Sequence, residues 1–221
     1  LEPTPVLDHN TTLHGRITIA DIVDYIKEEA EQEYQMAAGI TEDIDADDSI
    51  LEKTQARLPW LILGLFGGMA AASIMGGFEE ALNSFPELFY FTPLIAAMAG
   101  NVGVQSSAII VQGLANDNIK GSLVTRMLKE IGLSMVNGLI LAALIFIFGT
   151  ILNYDTNIST TISISMIIVI IFASLIGTFV PLILNKNGID PAVATGPFIT
   201  TSNDIFGIFI FFFIAKLILG F

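Results

Sequence analysis

The sequence contains no cysteine and only two histidines. Without a thiol there is no disulfide, no thiolate nucleophile and no Cys-type zinc or iron–sulfur site, while the compartment stays open. Charge is scarce too. Only 14% of residues are charged against 53% hydrophobic, where a soluble domain carries about 25% charged. Basic residues are scarcer still, nine Lys/Arg against 22 Asp/Glu for a net charge of −13, which argues against nucleic acid and points to cations. A nucleophile–base set, a Walker loop and a metal-hydrolase motif are all missing, so the chain does not read as an enzyme. No stretch near the N-terminus reads as a secretory signal.

What is present divides in two. Residues 1–57 form an acidic head with fourteen Asp/Glu and only Arg16, Lys27, Lys53 and Arg57. The rest is apolar and holds five segments near the 20 or so residues that a transmembrane helix needs: about Leu58–Phe78, Tyr90–Ala115, Glu130–Leu152, Thr161–Leu184 and Pro191–Leu219. The predicted fold class is therefore all-α integral membrane, with a short α/β piece at its N-terminus. Lys and Arg enrich the loops that stay in the cytoplasm. Here they precede the first span (Lys53, Arg57), separate the second from the third (Lys120, Arg126, Lys129) and separate the fourth from the fifth (Lys186). The two alternate loops have none. This predicts a cytoplasmic N-terminus and an outside C-terminus, with Gly121–Ile131 as an amphipathic entry turn at the inner interface.

Two spans are too polar for lipid. The second contains Gly100, Asn101, Gly103, Gln105, Ser106 and Ser107. Its glycines let another backbone come close, and Asn101 and Gln105, four apart, share a face. Interhelical hydrogen bonding is the plain alternative for either. The fifth span opens with Asp190-Pro191, which reads as an N-cap followed by proline in the first turn. It continues through Gly196, Pro197, Thr200, Thr201, Asn203, Asp204 and Gly207. Gly196, Thr200, Asp204 and Gly207 follow helical spacing and make one small, oxygen-bearing, acidic stripe. An acid at membrane depth is costly and is a functional hypothesis by default. The next cation along, Lys216, is twelve residues away, roughly 18 Å along a helix. Asp204 is thus hydrogen-bonded structurally, a proton relay, or a cation site. With oxygen donors only, a hard divalent ion such as Mg²⁺ fits better than zinc, copper or iron. One carboxylate is thin for such an ion, and a symmetric homodimer would double it.

The head reads as strand, turn, strand and a helix from about Ile19, stopped near Gly39. It is too small to hold a core, so it reads as the tail of a larger domain. His9 and His14 read as surface residues. Asp21, Asp24 and Glu28, with Glu29 and Glu33, crowd like charge onto the helix. A solvated acidic face is one reading, and a cation sensor whose bound ion screens the repulsion is the other. Glu42, Asp43, Asp45, Asp47 and Asp48 read as a hinge, after which Ser49 caps the helix entering the first span.

These residues resemble the MgtE-type magnesium transporters. The resemblance is carried by Gly15-Arg16-Ile17-Thr18 with its helix, Arg57-Leu58-Pro59-Trp60-Leu61, Gly100-Asn101-Val102-Gly103-Val104-Gln105-Ser106, Asp190-Pro191 and Asn203-Asp204. It spans essentially the whole chain. It implies residues 1–20 as the end of a CBS domain, 21–57 as an acidic connecting helix and hinge, and 58–221 as a five-helix pore domain. It further implies a homodimeric Mg²⁺ channel of a bacterial plasma membrane, lined by the second and fifth spans and closed when intracellular Mg²⁺ is high. Asp204 would bind hydrated Mg²⁺. Asn101 would line the pore with Gly100, Gly103, Gln105, Gly196, Pro197, Thr200, Thr201 and Gly207. Asp21, Asp24, Glu29 and Glu33 would take part in sensing. Val104 and Gln32 stand where the resemblance leads one to expect a polar and an acidic residue. A proton- or sodium-coupled transporter with Asp204 as the coupling acid is the competing mechanism, and a membrane protein with no transport role is the third reading.

Overall fold

A computed structural model describes residues 3–116, 119, 121–194 and 196–221, with the side chain of Ala194 also outside the description. Lys120, used above for orientation, and Thr195, which falls within the expected fifth span, lie outside the described residues. The chain runs β1 (Thr4–Leu7), β2 (Leu13–Ile17), α1 (Ile19–Ala37), α2 (Ile50–Gly77), α3 (Glu79–Ser84), α4 (Glu87–Ala115), α5 (Leu123–Ile151), α6 (Thr156–Lys186), a 3₁₀ turn (Pro191–Ala194) and α7 (Pro197–Leu219). Five of these, α2, α4, α5, α6 and α7, are long and apolar enough to cross a membrane.

The head folds locally. β1 and β2 pair antiparallel, Thr4 opposite Ile17, and Asp8 turns the corner by accepting from the backbone N–H of Asn10 and Thr12, both at 2.8 Å. Thr18 and Asp21 then form a reciprocal capping box that starts α1. Val6, Leu13, Ile17, Ile22, Val23 and Ile26 are all exposed, so this piece buries no core of its own. α1 ends at Ala37, and Gly39 turns the chain at φ +81°. Ser49 and Glu52 form a second capping box at the start of α2.

α6 is the central helix. It packs against α4, α5 and α7, whereas α2 leans on α7 from outside. Between helices in lipid there is little hydrophobic drive, so close approach depends on small residues and polar ties. The α-carbon of Gly177 sits against the carbonyl of Gly103, and Gly138 packs on the backbone of Ile167. Ser134 donates to Ser174 at 2.5 Å, tying α5 to α6, and Ser106 donates to Glu130 at 2.6 Å, tying α4 to α5. Such bonds are worth about 0.6 kcal/mol each in a membrane. Outward positions on α2 and α5, such as Leu65, Phe66, Leu139, Ile140 and Leu144, are exposed large apolar side chains, as lipid-facing surfaces require.

Two expected boundaries are corrected. α5 starts at Leu123, not near Glu130, because the Ser122 side chain accepts from the Thr125 N–H and caps it there. Arg126, Lys129 and Glu130 therefore belong to the first turns of the span itself. The fifth span does not start at Pro191. The Asp190 carboxylate accepts from the Ala192 N–H at 2.8 Å and caps only the short 3₁₀ turn. The helix restarts at Pro197 after Gly196 at φ +58°. Pro197 lacks an N–H and disfavours helix in the residue before it, which breaks the segment there.

Candidate functional site

The site grows from the crossing of α4 and α7. Because Gly100 has no side chain, Thr200 and Asp204 can lie over its backbone. A methyl added there would stand 3.1 Å from Cγ2 of Thr200 and 3.3 Å from Oδ1 of Asp204. One turn on, Gly207 packs against Ala99, where an added methyl would be 3.0 Å away. Thr200, Asp204 and Gly207 therefore do share the face of α7 that meets α4. Gly196 lies just before the helix, and its carbonyl accepts from Oγ1 of Thr200 at 3.0 Å. Asp204 itself is half-buried and has no ion pair or hydrogen bond among the described residues.

A third helix joins one turn away. The Asn203 amide lies directly over Gly103, whose carbonyl in turn meets Gly177 of α6. Asn203 is 1% exposed, yet among the described residues neither its Nδ2 nor its Oδ1 has a partner, and the buried Thr178 hydroxyl next to Gly177 has none either. Sequence reasoning placed Asn203 only as a neighbour of Asp204. Its complete burial depends on Gly103 and Gly177 facing each other, which no single segment reveals.

Two cavities flank the end of α1. The larger, about 860 Å³, is lined by Arg57, Trp60, Leu61 and Gly64 of α2, by Val104, and by Gly196, Pro197, Thr200 and Thr201, with Ala37 to Ile40 as its roof. The second, about 640 Å³, lies between Glu33, Tyr34 and Ala37 on one side and Val104, Ala108 and Gln112 on the other. α1 reaches this position because the Ala37 carbonyl contacts Gly196 and Gly39 contacts the Pro197 ring. Thr201 also touches Gly67 of α2. Gly196, Pro197, Thr200 and Thr201 thus share one cavity, and Gly100 and Gly103 are buried contact points.

Asn101 and Gln105 are different, for both are exposed on the free face of α4. They do not meet Asp204 within one chain. Nor do the α1 acids converge. Asp21 is occupied by its capping box, where the N–H and hydroxyl of Thr18 hold its carboxyl below the usual carboxylate range. Glu29 accepts from the Tyr25 hydroxyl at 3.0 Å, an interaction that pushes that phenol above its usual value. Asp24 is exposed, and Glu33 is the one of the four that lines either of these two cavities. Among the described residues no group of three or more His, Asp or Glu gathers to hold a metal ion. From the sequence, Arg57 has a role only in orientation and in the resemblance, and Trp60 only in the resemblance. Their spacing with Leu61 and Gly64 on one helical face is the signal that places them in the cavity.

Residues 92–214 match the family model MgtE, described as a divalent cation transporter. Magnesium transporter MgtE of Bacillus subtilis (strain 168) is 36% identical over 212 residues, covering 96% of this chain and 47% of that protein. The protein of the same name from Enterococcus faecalis is 36% identical over 214 residues, with 96% and 47% covered. That from Thermus thermophilus is 28% identical over 224 residues, with 97% and 48% covered. The chain spans about half the length of these curated relatives.

Proposed function

The chain belongs to the MgtE family of divalent cation transporters, and from that premise we propose that it carries Mg²⁺ across a bacterial plasma membrane along a path between α4 and α7. One observation carries this reading: Asp204 lies half-buried in a span, laid over Gly100 with Thr200, and without a cationic partner among the described residues. A carboxylate at that depth needs positive charge to offset its desolvation, and a passing hydrated cation supplies it. Mg²⁺ keeps several waters and uses one or two carboxylates, which suits a wide, oxygen-lined path better than a closed cage. Passive movement suffices, since an inside-negative potential contributes about 4.6 kcal/mol per 100 mV for a divalent ion.

The working unit in this reading is a homodimer. Asn101 and Gln105 stand exposed on an apolar helix, a position lipid would penalise. A second copy would cover them, make them pore-lining and bring two Asp204 carboxylates to one axis. The N-terminus is cytoplasmic, by the distribution of Lys and Arg. β1, β2 and their exposed apolar side chains are the end of a CBS domain, and residues 21–57 connect it to the pore domain at 58–221. α1, seated on Gly196 and Pro197, closes the path when Mg²⁺ screens the acids at Asp21, Asp24, Glu29 and Glu33. The experiment is Mg²⁺ influx into liposomes with a Mg²⁺-sensitive dye, comparing the chain with Asp204→Asn under imposed proton gradients. Influx that needs Asp204 and ignores the proton gradient is expected. Influx that follows the proton gradient would replace the channel with a coupled transporter, and equal influx in both proteins would remove Asp204 from the path.

A further inference from the structure

The larger cavity beside α1 contains one charged lining residue, Arg57. It shares a face of α2 with Trp60, Leu61 and Gly64, across from Pro197, Thr200 and Thr201. Among the described residues it makes neither an ion pair nor a hydrogen bond. The roof residues Ala37 and Ala38 end a helix that has no basic residue in its last turn. An exposed positive charge, unpaired among the described residues, therefore lines a cavity whose other wall carries Pro197, Thr200 and Thr201.

Resting on the pathway reading above, we propose that Arg57 sets the rate of Mg²⁺ entry: its charge lowers the local concentration of cations in this vestibule, more strongly for a divalent than for a monovalent ion. The physics is simple. At about 10 Å in a water-like dielectric, one unit charge changes the local concentration of a monovalent ion about twofold and of a divalent ion about fourfold. This lowering is set against the attraction of Asp204 deeper in the path, so a cation leaves the vestibule quickly and does not accumulate there. The effect fades when salt shortens the screening length, which is about 30 Å at 0.01 M and 3 Å at 1 M.

The test is a charge ladder in liposomes at low ionic strength, reading initial Mg²⁺ influx. Arg57→Lys should keep the parent rate. Arg57→Gln and Arg57→Met should each raise it about fourfold and Arg57→Glu about sixteenfold, and all should converge in 1 M salt. Rates not ordered by charge, or differences that survive high salt, would overturn the proposal. A second readout needs no transport. Trp60 is the chain's only tryptophan and lines the same cavity, so its quenching by ions samples the potential beside Arg57. In Arg57→Gln, iodide quenching should fall about twofold and caesium quenching should rise about twofold, and unchanged constants would overturn the assignment. Asp204→Asn in the same liposomes judges the pathway separately. Parent-level flux in that variant would sink the pathway, while the Trp60 quenching constants would still decide whether Arg57 sets the local potential.

Discussion

At the scale of single residues, the α4–α6–α7 junction makes the sharpest demands. The Asn203 amide is buried without partners among the described residues, and each unsatisfied buried polar group costs about 1–3 kcal/mol. Asn203→Leu, which keeps the branch at Cγ and the number of side-chain heavy atoms while removing both polar atoms, should therefore stabilise the protein by about 1–2 kcal/mol. A thermal melt in detergent should show a rise of several degrees, and a fall would mean that the amide has a partner in the assembled protein. Gly103→Ala should do the reverse. Its methyl would land on the Asn203 amide and 2.8 Å from Cγ2 of Ile199, so the yield of folded protein should drop and Asn203→Ala should partly restore it. Gly68→Ala is the matched control, because nothing lies within 4 Å of that position. Reading the sequence identified Gly100, Gly103 and Asp204 from their chemistry. It could not show that Asn203 is sealed while Asn101 is exposed, since both are asparagines in apolar helices and only the packing of α6 tells them apart.

At the scale of elements, the starts of helices decide where functional groups fall. The apolar runs located five spans, because long hydrophobic stretches are unambiguous. They place the start of α5 too late, because its charged first turns do not register as hydrophobic, and the start of α7 too early, because Asp190-Pro191 reads as a helix start although it caps only the 3₁₀ turn before the Gly196-Pro197 break. That break matters mechanically. Gly196 takes a positive φ that side chains rarely adopt, and an added methyl there would meet the Ala37 carbonyl. Gly196→Ala should loosen α1 from α7, read as faster proteolysis within residues 38–49. Unchanged cleavage would show that α1 is not held through this contact. The start of α1 makes a pH prediction. Asp21 has a lowered pKa in the folded head, chiefly through the Thr18 N–H. A depressed carboxylate stabilises above its unfolded pKa and loses that contribution as pH falls through the folded value. Asp21→Ala should therefore reduce α1 helicity at pH 7, with the difference from the parent closing below about pH 4. A difference constant down to pH 2 would contradict the capping role.

At the scale of the whole molecule, the chain is a five-helix body with a peripheral acidic head whose helix rests on the break in the fifth span. The contrast between an acidic head and a body with little charge, and the two polar spans of that body, are legible in the sequence. The exposed Asn101 and Gln105 became informative only once the remaining faces were known to be packed. The central claim is that ions pass between α4 and α7, and the absence of native cysteine allows a direct test. Thr200→Cys, Gln105→Cys and Leu139→Cys should be placed singly in the full chain, reconstituted, and treated with a charged, water-soluble thiol reagent while Mg²⁺ influx is recorded. Modification should block influx at Thr200→Cys and Gln105→Cys, with Mg²⁺ slowing the reaction, and leave Leu139→Cys untouched. Full influx after complete labelling at Thr200→Cys and Gln105→Cys would contradict the path.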